Sequence, residues 1–225
     1  MTYNLIDGEY LTFSELFRLT LKRLTLSRIF QNSYLRHISV HGDIIDLGGE
    51  SGSQYYSYID TSKAETFCYA DLYKSGDNII NIDFEKPFKL PSEKFDCAIM
   101  MNVVEHIYNS ENLFNETFRI LRPSGRIIGI VPFLYQVHGI PNDFHRYTKQ
   151  SLNDLLENAG FKQIFIKEIG LGRHVASASF IGHKIKLKPI AFLYYLKAIC
   201  LDKLYTNKNS KIEFPLNYYF QAVRD

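Results

Sequence analysis

The sequence predicts an α/β fold with a doubly wound, mostly parallel sheet of seven strands and helices on both faces. From Gly42 onward, short apolar runs alternate with helical stretches, and such units form right-handed crossovers between parallel strands. Turn residues bound the apolar runs, as is typical of strands. The predicted strands are residues 43–47, 66–72, 78–84, 95–101, 126–133, 163–169 and 217–223.

Helix signals lie before and between these strands. Thr12 and Glu15 stand at capping-box spacing and open an apolar stripe, which predicts one amphipathic helix over residues 12–30. Asn109 and Thr148 each precede a further stretch with helical spacing of apolar residues. These helices supply the layers that cover the sheet.

Composition restricts the class of protein. A hydrophobic fraction of 46% indicates a folded chain, and three dispersed cysteines without a CxxC pair argue against disulfides and thiolate metal sites. No signal peptide is visible, and the longest apolar run, residues 189–201, contains a lysine and is too short to cross a bilayer. We therefore expect a cytoplasmic protein without a metal site.

Charge and pattern divide the chain into three parts. Residues 1–40 form an N-terminal helical segment, and residues 41–172 with 212–225 form one α/β domain. Residues 173–211 carry eight Lys and Arg against one acid and form an insertion or cap. This basic segment either closes the active site or rests on an anionic membrane. Nucleic acid is not expected as a partner, because no RNA-binding motif accompanies the charge.

The turn after the first strand is the usual ligand-binding position in such a sheet. It reads DLGGESG over residues 46–52, and no offset of this stretch gives the GxGxxG fingerprint of dinucleotide-binding proteins. A nicotinamide-dependent oxidoreductase is therefore disfavoured.

The turn resembles the first motif of the class I S-adenosylmethionine-dependent methyltransferases, in which an acid and an apolar residue precede GxGxG. The order and spacing of residues 95–107 and 119–133 also resemble the fourth and fifth strands of that family. The resemblance implies a Rossmann-like fold and S-adenosylmethionine as cofactor. Glu50 departs from the motif, because it stands where the family has its middle glycine.

The same resemblance implies the cofactor site. Asp71, at the end of the second strand, is expected to accept hydrogen bonds from both ribose hydroxyls, and Asp83 to accept one from the adenine amine. Glu50 either displaces the ligand slightly or contacts its ammonium group. The implied cofactor-binding residues are Asp46, Gly48, Gly49, Glu50, Gly52, Asp71, Asp83 and Asn102.

A second constellation follows the fifth strand, in residues 132–152. It resembles a segment found in a largely uncharacterised branch of these methyltransferases, many members of which look like sugar- or polysaccharide-tailoring enzymes. His138 is the predicted general base, Asp143 orients it or the substrate, and His106 is the competing base. The predicted substrate-binding residues are Arg146, His145 and Tyr147. The alternative is structural: an ion pair between Arg146 and Asp143 fixes the loop.

These patterns predict methyl transfer to an oxygen of a small-molecule or glycan-like acceptor. The stretch NVVE, residues 102–105, replaces the family's N-methylation motif, which disfavours nitrogen acceptors. A non-catalytic binding protein with an impaired cofactor turn is the alternative, and Glu50 is the residue that favours it. The sequence contains no signal for the oligomeric state.

Overall fold

The computed structural model describes residues 11–74, 76, 78–139, 142–205 and 212–225. Lys208 and Lys211 of the predicted basic segment lie outside these residues. The described chain forms two compact units. The described residues of the helical unit are 11–38, 134–136, 168–205 and 212–217, and those of the sheet unit are 39–74, 76, 78–133, 137–139, 142–167 and 218–225.

One sheet of seven strands organises the sheet unit, and the predicted α/β fold with a mostly parallel sheet is confirmed. The strands are β1 (Ser39–Leu47), β2 (Asp60–Asp71), β3 (Ile79–Asn81), β4 (Phe95–Met101), β5 (Leu121–Pro132), β6 (Lys162–Ile169) and β7 (Asn217–Val223). Their order is β3-β2-β1-β4-β5-β7-β6. The order reverses between β1 and β4, so the loops after these strands flank the usual ligand crevice.

Strand pairing extends β2 beyond its predicted start at residue 66. The segment TSKAET, residues 61–66, lacks an apolar alternation, yet β2 begins at Asp60 because it pairs in parallel with β1 from Ser39 onward. No crossover helix joins these two strands. A 3-10 turn, Gln54–Ser57, makes the connection and brings Tyr55 under the turn that follows β1.

Two helices of the sheet unit match their predictions. They are α3 (Ser110–Ile120) and α4 (Lys149–Asn158). Asn109 caps α3 by accepting from the amide of Asn112, and Thr148 caps α4 by accepting from Ser151. Side chains of α3 and α4 pack in the same core as the sheet, with Phe114 and Leu156 fully buried.

The described residues of the helical unit form four α-helices: α1 (Phe13–Leu21), α2 (Leu26–Leu35), α5 (Arg173–Ile181) and α6 (Lys188–Tyr205). The prediction of one helix over residues 12–30 was wrong. Arg23 adopts a left-handed conformation, with φ 62°, and ends the first helix. Thr25 then caps a second helix by accepting a hydrogen bond from the amide of Arg28 at 3.2 Å.

No helix among the described residues combines the length and the hydropathy that a membrane span requires.

Candidate functional site

The turn after β1 begins with two glycines that the structure requires. Gly48 has φ +92°, and a Cβ there would lie 2.4 Å from a methyl group of Val103. A Cβ on Gly49 would lie 2.3 Å from Cγ of Asp46. Around Gly52, in contrast, the space is open to 4 Å. Close packing under the turn therefore selects glycine at positions 48 and 49, and at Gly52 no such constraint exists.

Asp46 supports this turn from below. Its side chain is fully buried and accepts hydrogen bonds from the hydroxyl groups of Tyr55, at 2.5 Å, and of Tyr56. Burial raises the pKa of Asp46 to about 6, although both tyrosine hydroxyls favour the charged form. Asp46 does not line the cavity beside the turn, so it acts on that cavity through the shape of the backbone.

A cavity of about 310 Å³ lies at the carboxyl edge of the sheet, a volume typical of small-molecule sites. Five of the predicted site residues line it: Gly48, Asp71, Asp83, Asn102 and His106. The other lining residues are Leu72, Tyr73, Phe84, Glu85, Val103, Ile107 and Asn142. The ends of β1, β2 and β4 and the segment after β3 thus converge on one space.

Two carboxylates stand at the rim of the cavity. Asp71 uses one oxygen, Oδ1, to accept from the amides of Tyr73 at 2.7 Å and Lys74 at 3.0 Å. Its other oxygen has no hydrogen-bond partner within the described part of the chain. Asp83 pairs with Lys86 at 2.8 Å, and this hydrogen bond lowers the pKa of Asp83.

Asn102 closes the cavity after β4 in a left-handed conformation, with φ 58°. Asparagine tolerates this region better than most residues. Its side-chain oxygen is buried and has no hydrogen-bond partner among the described residues, so it is available to a donor on a ligand. The donor set of the site, two carboxylates and one amide oxygen, suits ribose hydroxyls and an amine. These residues therefore fit the predicted cofactor.

Glu50 does not line this cavity. Its carboxylate forms a half-exposed ion pair with Lys74, with 2.8 Å between Nζ and Oε2. The residue that departs from the family motif therefore contacts another side chain at the surface.

Beside the cavity, two histidines lie close to an ion pair between an aspartate and an arginine. The rings of His106 and His138 lie edge to face with 5.0 Å between their centroids. Nδ1 of His138 lies 3.2 Å from Oδ2 of Asp143, and Arg146 donates hydrogen bonds to both oxygens of that carboxylate. The hydrogen bonds from Arg146 hold the pKa of Asp143 well below its usual range. Asp143 is thus a fixed anion next to His138.

His145 and Tyr147 lie in the same loop but outside the cavity lining. The ring of His145 stacks on Tyr108 with centroids 6.3 Å apart, and Tyr108 also meets Phe144 edge to face at 5.5 Å. Tyr108 and Phe144 are exposed, whereas Tyr147 is buried and burial raises the pKa of its hydroxyl to about 12. We refer to Tyr108, Phe144 and His145 as the aromatic group.

Glu105 is a residue of the site that was not predicted from the sequence. The residue is fully buried in the 3-10 turn after β4, and its Oε1 lies 3.8 Å from Nε2 of His106. The available signal was an acid enclosed by apolar residues in NVVEHI, directly after a buried strand. Tyr55 and Tyr56, which hold Asp46, carried no comparable signal.

Comparisons with known proteins agree with this geometry. A sequence model of the methyltransferase-domain family matches residues 17–164, more than half of the chain. No curated protein matches the chain in sequence.

Several solved structures share the fold. A methyltransferase of Thermotoga maritima, named as a possible histamine N-methyltransferase, has a TM-score of 0.57 and 15% identity over 95% of this chain and 99% of its own. An S-adenosylmethionine-dependent methyltransferase of Mesorhizobium loti has a TM-score of 0.53 and 17% identity over 82% and 92%. The cyclase SpnF has a TM-score of 0.55 and 13% identity over 88% and 80%.

At these identities the solved structures establish the shared fold, and the sequence model establishes the family. The chain therefore belongs to the methyltransferase-domain family, and it is a class I methyltransferase whose cofactor is S-adenosylmethionine.

Proposed function

We propose that this methyltransferase modifies an oxygen atom of a small-molecule or glycan-like acceptor. The observation that carries the proposal is the position of His106 and His138. His106 lines the cavity that fits the cofactor, and His138 lies against it with an ionised carboxylate on its Nδ1 side. A hydroxyl acceptor must lose a proton, and imidazole accepts one near neutral pH.

The carboxylates and Asn102 bind the cofactor in this proposal. The oxygen Oδ2 of Asp71 accepts from the ribose, Asp83 accepts from the adenine amine, and Asn102 accepts from a donor deeper in the cavity. The glycines at positions 48 and 49 allow the turn beside the cavity to pack closely against Val103 and Asp46. S-adenosylmethionine supplies a methyl group that its sulfonium makes electrophilic.

His138 takes the acceptor's proton. Asp143 fixes the tautomer, because its carboxylate accepts a hydrogen bond from Nδ1–H and leaves Nε2 as the basic nitrogen. Arg146 keeps Asp143 ionised and in place through two hydrogen bonds. Holding the acceptor oxygen in line with the methyl group is the remaining task of the site.

The aromatic group supports a ring-shaped acceptor. Tyr108 and Phe144 expose 71% and 46% of their surfaces, and exposed apolar rings beside a cavity are typical of ligand contacts. Several nearby donors and acceptors suit a polyhydroxylated molecule. The fold neighbour from Thermotoga maritima bears the name of an N-methyltransferase, so the accepting atom needs a direct test.

Calorimetric titration with S-adenosylmethionine and S-adenosylhomocysteine tests the cofactor half. Asp71→Asn keeps the acceptor for Tyr73 and Lys74 but replaces the second oxygen, so affinity falls by about tenfold to a hundredfold. Asp60→Asn, an exposed acid at the other end of β2, is the matched control and binds like the wild type. Equal binding by all three proteins would remove Asp71 from the site.

Transfer of a carbon-13-labelled methyl group tests the acceptor atom. The chemical shift of the product methyl distinguishes an ether from an amine when matched hydroxyl and amino compounds are offered. His138→Gln abolishes turnover and keeps cofactor affinity, whereas His41→Gln, an exposed histidine in β1, changes neither. A methylamine product would contradict the oxygen assignment, and full turnover by His138→Gln would exclude it as the base.

We further propose that the helical unit binds an anionic membrane surface. The side chains Ile190, Leu193 and Leu204 lie on one outward face of α6 and are 51%, 60% and 78% exposed. Lys197 lies on the same face, and Lys184 and Lys186 are exposed before the helix. Apolar side chains among lysines match the interface of an anionic bilayer.

The one acid within residues 173–205 does not reduce this positive charge at the surface. Asp202 is buried, and its carboxylate accepts hydrogen bonds from the amides of His174 and Val175 at the start of α5. The exposed charges of this segment are therefore all basic. A second copy of the chain would bring its own positive charges against the positive charges of this face. Anionic lipid headgroups, in contrast, carry the opposite charge.

Flotation with vesicles of phosphatidylcholine and phosphatidylglycerol tests this surface. Wild-type protein floats with anionic vesicles and less with neutral ones, and Leu193→Asp stays in solution. Phe165→Asp, which changes a 46% exposed side chain of β6, is the matched control and floats like the wild type. Absence of wild-type flotation at low salt, or a stable dimer that Leu193→Asp dissociates, would overturn the proposal.

A further inference from the structure

Three side chains beside the cofactor cavity have the spacing of metal ligands. One nitrogen from each of His106 and His138 and one carboxylate oxygen of Glu105 lie within 4.8 Å of one another. We propose that these residues bind one divalent transition-metal ion, which deepens the proposed transfer to oxygen and rests on it. Two imidazoles and a carboxylate form a common ligand set for such ions.

The surroundings of both histidines support this assignment. Nδ1 of His106 is in hydrogen-bond contact with the backbone oxygen of Asn142, and Nδ1 of His138 lies 3.2 Å from the Asp143 carboxylate. Metal-binding histidines are typically held in this way, with a carbonyl or carboxylate on the nitrogen opposite the metal. Nε2 of each ring is then the metal-binding atom, and Nε2 of His106 already lies 3.8 Å from Glu105.

Zinc binding requires the cluster to contract. Zinc binds nitrogen and oxygen at about 2.0–2.2 Å, so two ligands of a tetrahedral zinc ion are about 3.4 Å apart. Ligand atoms that lie up to 4.8 Å apart must therefore approach each other by up to about 1.4 Å. His138 has space for this movement, because 32% of its side chain is exposed. A cation at this position would stabilise the ionised form of the buried Glu105 carboxyl group.

The nitrogen ligands select the ion. Imidazole suits zinc, iron, cobalt and nickel, whereas magnesium prefers a shell of oxygen atoms. The site therefore takes Zn²⁺ in preference to Mg²⁺. Three protein ligands leave a position open for an acceptor oxygen, as in catalytic zinc sites.

A bound ion changes how the acceptor loses its proton. In the metal-free protein His138 takes it, but in the metal-bound protein Nε2 of His138 is a ligand. The ion then lowers the pKa of a coordinated acceptor hydroxyl. The O–H bond breaks, the proton passes to bulk water, and the electron pair stays on the oxygen.

Calorimetric titration of the chelator-treated full chain with zinc chloride tests the site without cofactor or acceptor. All proteins carry Cys200→Ser, because the exposed thiol of Cys200 can bind zinc by itself. We expect one equivalent bound by the parent protein, at least tenfold weaker binding by His106→Gln and His138→Gln, and no comparable binding of magnesium chloride. His41→Gln is the matched control and binds zinc like the parent.

Cobalt(II) provides a second readout in the parent protein if either histidine variant fails to fold. Visible bands of a four- or five-coordinate imidazole complex support the site, and the spectrum of the aqueous ion overturns it. Zinc binding that is absent, or unchanged in both folded variants, also overturns it. Methyl transfer without zinc binding would refute this inference alone, whereas zinc binding without transfer to any hydroxyl would refute the proposed function.

Discussion

At the residue scale, the glycines of the turn after β1 differ in what the structure demands of them. In the family motif, the glycines are expected to allow the ligand to approach the backbone closely. Gly49 is instead required by the Asp46 side chain beneath it, and Gly52 faces open space. Substitution is therefore expected to have different consequences at Gly49 and at Gly52.

Replacing each glycine by alanine tests this difference. Gly49→Ala forces a Cβ against the Asp46 carboxylate, so we expect a loss of about 1–3 kcal/mol in the free energy of unfolding and weaker cofactor binding. Gly52→Ala leaves stability and binding unchanged. Urea denaturation and calorimetric titration measure both quantities, and equal effects at the two positions would contradict this distinction.

Asp46 makes stability depend on pH. Its folded pKa of about 6 lies above the ordinary aspartate value of 3.8, so the folded state holds this proton more tightly than the unfolded state. The stabilisation is complete below the unfolded pKa and is lost as the pH rises through about 6. Relative to Asp46→Asn, the free energy of unfolding of the wild type therefore falls by up to about 3 kcal/mol as the pH rises from 3.8 to about 6.

Urea denaturation at a series of pH values measures this difference. Asp60→Asn is the control, because the pKa of the exposed Asp60 is lowered by its hydrogen bonds to Ser62. The contribution of Asp60 to stability therefore increases with pH, whereas that of Asp46 decreases. A constant difference between wild type and Asp46→Asn across the range would show that burial does not control this carboxyl.

At the element scale, α5 lacks a cap from its own sequence. Gly172 precedes the helix, and a side chain there would collide with Asp202, whose carboxylate occupies the capping position from α6. Both oxygens of Asp202 accept amide hydrogen bonds at the positive end of the helix dipole. One buried carboxylate therefore joins α5 to α6.

Removing that cap should destabilise the helical unit. We expect Asp202→Ala to lower the free energy of unfolding by about 1–3 kcal/mol, because two buried amides lose their acceptor, and Asp202→Asn to cost less. Asp154→Ala, at an exposed position of α4, should stay within about 0.5 kcal/mol of the wild type. A loss for Asp202→Ala as small as that of Asp154→Ala in chemical denaturation would show that the cap contributes little.

At the scale of the whole molecule, the cavity gathers segments that are far apart in the chain. Gly48, Asp71, Asp83 and Asn102 follow four successive strands and meet because parallel strands end at one edge of the sheet. Binding there should order all four segments together.

Hydrogen exchange with and without S-adenosylhomocysteine tests this convergence. We expect slower amide exchange in residues 48–52, 71–74, 83–85 and 102–107 when the ligand is bound, because it covers these backbones. Asp71→Asn at the same ligand concentration should show weaker protection. Protection confined to α5 and α6 would mean that the ligand binds elsewhere.

The sequence alone determined the class of fold and predicted the cofactor-binding residues. Strand and helix periodicity is local, and β4 and β7 therefore fall at their predicted residues. Strand order and motif spacing predicted the ligand position, and Asp71, Asp83 and Asn102 line one cavity there. Cofactor binding by these three residues stays a prediction.

Tertiary structure decided the remaining features, because they depend on contacts between distant residues. Pairing with β1 lengthened β2, and a left-handed Arg23 divided the first predicted helix. Contacts between two loops placed His138 against His106, although these residues lie 32 positions apart in the sequence. Neither periodicity nor spacing encodes such an approach, since it arises only when the strands align and their loops share one edge of the sheet.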